Sequence, residues 1–157
     1  MPDIVIKKAL RADLIEVLNL NRQLFENEIK QGFDRHLNLL WLESEQARDF
    51  FTTLIDNETV FICVLNGQIV GYLAGLIHLN ENHYVKDSFA EIFHLYMDEN
   101  TRGLGIGKKL IENFKQQCKI LGIRHMKVTA SAPNHKALAF YRKVGFNDYE
   151  ITLKCDL

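Results

Sequence analysis

The sequence predicts an α/β fold built on a mixed, mostly antiparallel sheet flanked by about four helices. Three observations predict it. Apolar spacing switches between period 2 and period 3.6 in the order β-α-α-β-β-β-α-β-α-β. Asn66-Gly67 sits between two strand-like runs and reads as a type I′ hairpin turn. A strand–helix–strand unit then follows the antiparallel run, and such a crossover makes its two strands parallel.

The elements follow in order. Ile4-Val5-Ile6 is a short first strand. Asp13, with Glu16 three residues on, has the pattern of a capping box opening a helix that runs to about Gln31-Gly32. A second helix is expected over roughly 37–55, carried by Leu40, Trp41, Ala47, Phe50, Phe51 and Leu54. Residues 59–65 and 68–79 are the two hairpin strands, and 88–97 is a fourth strand. Ile106, Leu110, Ile111, Phe114, Cys118 and Leu121 mark one face of a helix that Gly122 terminates. A strand over 124–131, a helix over 134–144 capped by Asn134 and stopped by Gly145, and a last strand over 146–156 complete the chain.

The 157 residues read as one domain, residues 1–157, with a core of ordinary size. No apolar run approaches the ~20 residues of a membrane span, and the first residues lack the charge-then-apolar order of a secretory signal. Cys63, Cys118 and Cys155 are odd in number and lack metal-ligand spacing, so reduced thiols, a cytoplasmic location and no metal are expected. Charge is divided between the halves. Residues 13–58 hold ten acids and four bases, and residues 101–147 hold ten bases and one acid. Such asymmetry suggests two surfaces with different ligands.

The most informative stretch is Arg102-Gly103-Leu104-Gly105-Ile106-Gly107-Lys108, between a predicted strand and a predicted helix. Glycines let the backbone approach a ligand closely. The free amides and the positive dipole end of the following helix form an anion site. The stretch reads as a pyrophosphate cradle. It is neither a dinucleotide fingerprint, since Lys108 stands where G-x-G-x-x-G needs glycine, nor a P-loop, since Arg102 and Lys109 break G-x-x-x-x-G-K-[ST].

At these residues the sequence resembles the GNAT superfamily of N-acetyltransferases, whose [RQ]-x-x-G-x-[GA] motif occupies the same junction. Downstream, Asn134-His135-Lys136-Ala137-Leu138-Ala139-Phe140-Tyr141-Arg142-Lys143-Val144-Gly145-Phe146 is similar to the family's N-x-x-A-x-x-F-Y-x-x-x-G-F segment. The resemblance implies a three-layer fold whose parallel pair is splayed. It implies acetyl-CoA in that split, with its pantetheine arm along the backbone of Leu95, Tyr96 and Met97. The pyrophosphate would lie on the amides of Arg102, Gly103, Leu104, Gly105, Ile106, Gly107 and Lys108, with Asn134 and Tyr141 nearby. It further implies an amine acceptor, and Tyr141 as the acid that protonates the leaving thiolate. Many members end with two strands after the G-F pair; only eleven residues follow Phe146 here, so a shortened hairpin is expected.

A base that relieves the amine of its proton is sought among acids in apolar strands. Glu91 leads, expected on one strand face with Phe93, Leu95 and Met97, while His94 points the other way. His78, His83 or a water chain are alternatives. The competing readings are a non-catalytic acyl-CoA-binding module of the same fold and, more weakly, a nucleic-acid-binding module. The latter is disfavoured because the lysines interleave with glycines rather than stacking aromatics. The expected partners are therefore acetyl-CoA and an amine acceptor, without nucleic acid or membrane, and a homodimer is plausible for this fold.

Overall fold

The computed structural model describes residues 2–79 and 88–157. Its strands are β1 (Ile4–Lys8), β2 (Val60–Leu65), β3 (Gln68–His78), β4 (Phe89–Met97) and β5 (His125–Val128), in the spatial order of the chain. The first four pair antiparallel; β4 and β5 run parallel. Helices α1 (Leu14–Lys30) and α2 (Glu45–Asp56) pack on one face, and α3 (Ile106–Ile120) and α4 (His135–Lys143) on the other. This three-layer arrangement is the predicted fold class.

Local chemistry accounts for most boundaries. Asn66 and Gly67 have φ of 50° and 82°, the left-handed pair a type I′ turn demands. Ser44 caps α2 by accepting from the Ala47 amide at 3.2 Å, and Asn134 caps α4 by accepting from Ala137 at 3.1 Å. Behind Gly122, Ile123 N–H bonds back to the Cys118 carbonyl at 2.9 Å and closes α3.

Four expectations are corrected. The second helix does not begin near residue 37: Leu39–Glu43 form a 3-10 turn, and Ser44, a better cap than anything before it, starts α2. The Asp13–Glu16 capping box is not made. Asp13 instead accepts from the Leu10 amide at 2.8 Å, which stabilises a 3-10 turn ahead of α1. Strand β5 stops at Val128 rather than at 131, because its neighbour β4 pairs with it only as far as Ile92. No strand forms over 146–156. Tyr149, Ile151 and Leu153 keep the strand alternation but are 82%, 87% and 89% exposed, and among the described residues no strand pairs with them.

Between β3 and β4 the register shifts. Ala74 pairs with His94 while Gly75 pairs with Ile92, so Phe93 bulges out of the ladder. Gly75 makes this possible. A Cβ there would lie 2.7 Å from the ring of Phe114 on α3 and 2.8 Å from the Glu91 carbonyl oxygen. Gly75→Ala should therefore cost about 1–3 kcal/mol through forced repacking, read as a lowered melting temperature. An unchanged melt would mean that the bulge tolerates a side chain.

Candidate active site

The site begins where the sheet stops. Parallel pairing joins Phe89 to His125, Ala90 to Met126, Glu91 to Lys127 and Ile92 to Val128, and goes no further. Leu95, Tyr96 and Met97 lie beyond the last pair, and among the described residues no strand pairs there with the edge of β4 that faces away from β3. Backbone groups need partners. An extended ligand lying along this edge would meet that need.

The glycine turn lies at the end of this free edge. Asp98 accepts from the Asn100 amide at 3.0 Å and starts a 3-10 turn over Glu99–Thr101. Gly103 and Gly105 then have φ of +85° and +77°, and a Cβ at either would meet nothing within 4 Å. Glycine is required here by backbone angle, and the space above the turn is open. Gly105 is the N-cap of α3, whose first amides face that space. Gly107 is different. It is buried, and a Cβ there would press on Met97 Cε and Phe140 Cζ at 3.1 Å, so this glycine serves helix packing. Arg102 and Lys108 are exposed at the rim, 3.8 Å from Glu99 and 3.6 Å from Glu112. Leu104 is partly exposed, and Ile106 is buried below the turn.

Tyr141 lies half-buried on α4. Its ring packs against Phe140 and Phe146, with centroids at 5.4 and 5.7 Å, as part of the α3–α4 layer. Burial pushes its phenol well above the ordinary tyrosine value, and the negative charge of Glu28 on α1 adds to the push. Glu28 itself is raised by burial and then by Asp34. The expectations about the chain did not foresee this pairing; only the tertiary fold brings positions 28 and 141 together.

Glu91 is half-buried and bonded to His78, Nε2 to Oε2 at 2.9 Å. The His78 ring stacks on Phe89 at 4.4 Å, and the Lys127 ammonium lies over the other partner of that stack at 4.9 Å. Two candidate bases thus form one unit. His83 lies outside the described residues. The expected strand face is corrected by the bulge at Phe93. Glu91 and Phe93 share the α1–α2 side with His94 and Tyr96, while Leu95 and Met97 face α3.

His94 therefore points into the α1–α2 layer, among the rings of Phe25, Phe51 and Tyr72 at 5.8, 5.8 and 6.3 Å. Its Nδ1 is buried and has no hydrogen-bond partner among the described residues. Nearby, the fully buried Asn21 donates to the Tyr72 hydroxyl at 2.6 Å and leaves its own Oδ1 unpaired. A signal for Asn21 existed: it interrupts the apolar stripe of Val17, Leu18 and Phe25 on α1. Asn134, expected near the ligand, is half-buried and engaged as the α4 cap. Among the described residues no cluster of His, Cys, Asp and Glu is arranged to hold a metal ion, and no helix is long and apolar enough to cross a membrane.

Comparison with known proteins places these features. Residues 17–146 match the acetyltransferase (GNAT) family. An uncharacterised N-acetyltransferase of Methanocaldococcus jannaschii is 29% identical over 148 residues, 93% of this chain; the chain spans 62% of that relative's length. Among solved structures, an aminoglycoside acetyltransferase from an uncultured soil metagenomic sample, in complex with trehalose, is similar at a TM-score of 0.72. The two are 25% identical, and the match covers 98% of this chain and 96% of the other. A mutant of a Bacillus halodurans protein shares the fold at a TM-score of 0.84, with 23% identity over 98% of this chain and 99% of its own.

The buried imidazole makes a pH prediction. Burial pulls the pKa of His94 down to about 4, below the ~6.5 of an unfolded histidine. The unfolded chain takes up this proton first. The stability tied to a neutral His94 is whole above about pH 6.5 and is lost as pH falls toward 4. Unfolding free energies from urea titrations across this range should fall more steeply for the native protein than for His94→Phe, by at most ~1.4 kcal/mol per pH unit. Equal slopes would remove His94 from the acid response.

Proposed function

The chain belongs to the acetyltransferase (GNAT) family, and from that premise we propose that it transfers an acetyl group from acetyl-CoA to a primary amine, both bound at the split in the sheet. The observation that carries this reading is the continuity of three features. An unpaired β4 edge leads into a glycine turn at the start of α3, and the half-buried Tyr141 of α4 packs in the same α3–α4 layer.

In this reading the pantetheine arm hydrogen-bonds along Leu95, Tyr96 and Met97, as a strand would. The pyrophosphate rests on the amides from Gly103 to Lys108, with Arg102 and Lys108 adding positive charge at the rim. The acceptor approaches from the α1–α2 side. There Glu28 and Asp34 supply negative charge, and an ammonium would be drawn to them. The soil-metagenome relative is an aminoglycoside acetyltransferase, which makes a cationic small-molecule amine the first class to try.

The proton inventory follows from the side chains. The amine must shed a proton before its lone pair attacks the thioester carbonyl. The Glu91–His78 pair is the group suited to accept it, directly or through water. Tyr141, held above its ordinary pKa, keeps its proton through the neutral range and faces the leaving sulfur as a donor. Cytoplasmic residence, where acetyl-CoA and reduced thiols occur together, fits the three free cysteines.

Thiol release from acetyl-CoA, assayed with polyamines, aminoglycosides, amino acids and peptides, tests the function. Turnover with at least one amine is expected; acetyl-CoA binding without turnover on any would favour a binding module. Tyr141→Phe keeps the ring and removes the donor, so kcat should fall by ~10²–10⁴ with acetyl-CoA affinity unchanged. A normal kcat would reduce Tyr141 to packing. Gly105→Val should abolish tight acetyl-CoA binding in calorimetry while the protein stays folded. Undiminished affinity would dissociate the turn from the pyrophosphate.

A further inference from the structure

We propose that Lys115 of α3 is a positioning residue for Tyr141, resting on the reading of Tyr141 as the donor to the leaving sulfur. Its side chain closes the C-terminal end of α4 and, through Phe146, holds the phenol in one place.

The last helix needs such a hold. It has nine residues, and none of them is fully buried. A helix of that length is marginal by itself and depends on its tertiary contacts. Phe140, packed close to Gly107 of α3, is one anchor. The C-terminal end is the other. There the chain leaves the helix by a Schellman turn. Phe146 N–H donates to the Tyr141 carbonyl at 3.0 Å and Gly145 N–H to the Arg142 carbonyl at 3.1 Å, with Gly145 at a φ of +99°. The Val144 carbonyl stays outside these two bonds. Lys115 Nζ donates to it at 2.8 Å and lies 4.9 Å from the centroid of the Phe146 ring. The helix dipole favours a cation at this end, and the ring quadrupole favours one over an aromatic face.

Both groups that Lys115 engages bear on Tyr141. Phe146 is tied to it twice, amide to carbonyl and ring to ring at 5.7 Å. The Val144 amide also bonds to the Tyr141 carbonyl, at 3.2 Å. Lys115 fixes the turn against α3, and the turn fixes the tyrosine. Acetyl transfer has no step for the ammonium itself, so Lys115 acts through Tyr141. The same helix begins at the Gly105 cap, and Lys115 lies roughly 15 Å along its axis from there. One strut thus carries the proposed pyrophosphate turn at its start and the hold on the proposed acid further along.

Steady-state kinetics at saturating acetyl-CoA and amine test this in a double-mutant cycle. Lys115→Met removes the ammonium and keeps most of the stem. Its kcat should fall about tenfold, because small misplacements of a catalytic group cost up to ~10² in rate. The KM for acetyl-CoA should not move, because the glycine turn is untouched. Lys115→Arg keeps a cation for the Phe146 ring and donors for the Val144 carbonyl, and should restore most of the rate. In a Tyr141→Phe background, Lys115→Met should leave kcat unchanged within about twofold, since the donor that it places is gone. Circular dichroism verifies that each variant is folded; if Lys115→Met does not fold, Phe146→Leu takes its place in the same cycle. A native kcat in Lys115→Met beside an impaired Tyr141→Phe overturns the positioning role alone. So does an equal fall of kcat in both backgrounds, which marks a purely structural contact. A native kcat in Tyr141→Phe, or no turnover with any amine, overturns the reading of Tyr141 as the acid, and the positioning role with it.

Discussion

Parallel pairing between β4 and β5 lasts four residues, and the remaining architecture is arranged around its interruption. A sheet that kept pairing would be a closed wall between two helix layers. Here the pairing ends after Ile92 and Val128, and side chains of α4 pack in the α3 layer. Phe140 reaches Gly107 and Met97 from one side, and Tyr141 wedges between Phe140 and Phe146. The opening leaves strand backbone unpaired, which a fold tolerates only where water or a ligand completes the hydrogen bonds. Splaying is thus both a structural cost and the source of a binding edge.

The bulge at Phe93 is the second half of the same device. It lies just past the last β4–β5 pair and reverses which residues of β4 face which layer. With it, Glu91 and His94 both face α1 and α2, and Leu95 and Met97 face α3. The strand can therefore carry polar groups on the α1–α2 side and still finish with apolar anchors under the glycine turn. Gly75, opposite Ile92, is the small residue that lets Phe114 and the β4 backbone close over the shift.

Legibility in the sequence follows the range of the interactions. Asn66-Gly67, the Asn134 cap, Gly122 and the glycine turn are local chemistry, and each occurs where its residues say it should. The bulge is not local. An alternating run from Glu91 to Met97 looks like a single face, and only the β3 register contradicts it. Likewise the strand pattern after Phe146 is plain in the residues, yet patterning supplies only one side of a ladder. Tyr141 stands out through the family resemblance, but its relation to Glu28 depends on how α1 and α4 approach each other, which no spacing encodes.

The two charged halves of the chain acquire a physical meaning from this geometry. The basic half builds α3, β5 and α4, the layer that presents the glycine turn; the acidic half builds α1, α2 and the turns between them. Were the sheet continuous, the two fields would be kept apart by a slab of buried strands. Across the interruption, the negative charge of Glu28 adds to the burial that raises the Tyr141 phenol. Under the proposed function, a polyanionic donor and a cationic acceptor would each be drawn to its own layer. The charge division and the break in the sheet would then act as one arrangement for bringing two oppositely charged ligands into contact.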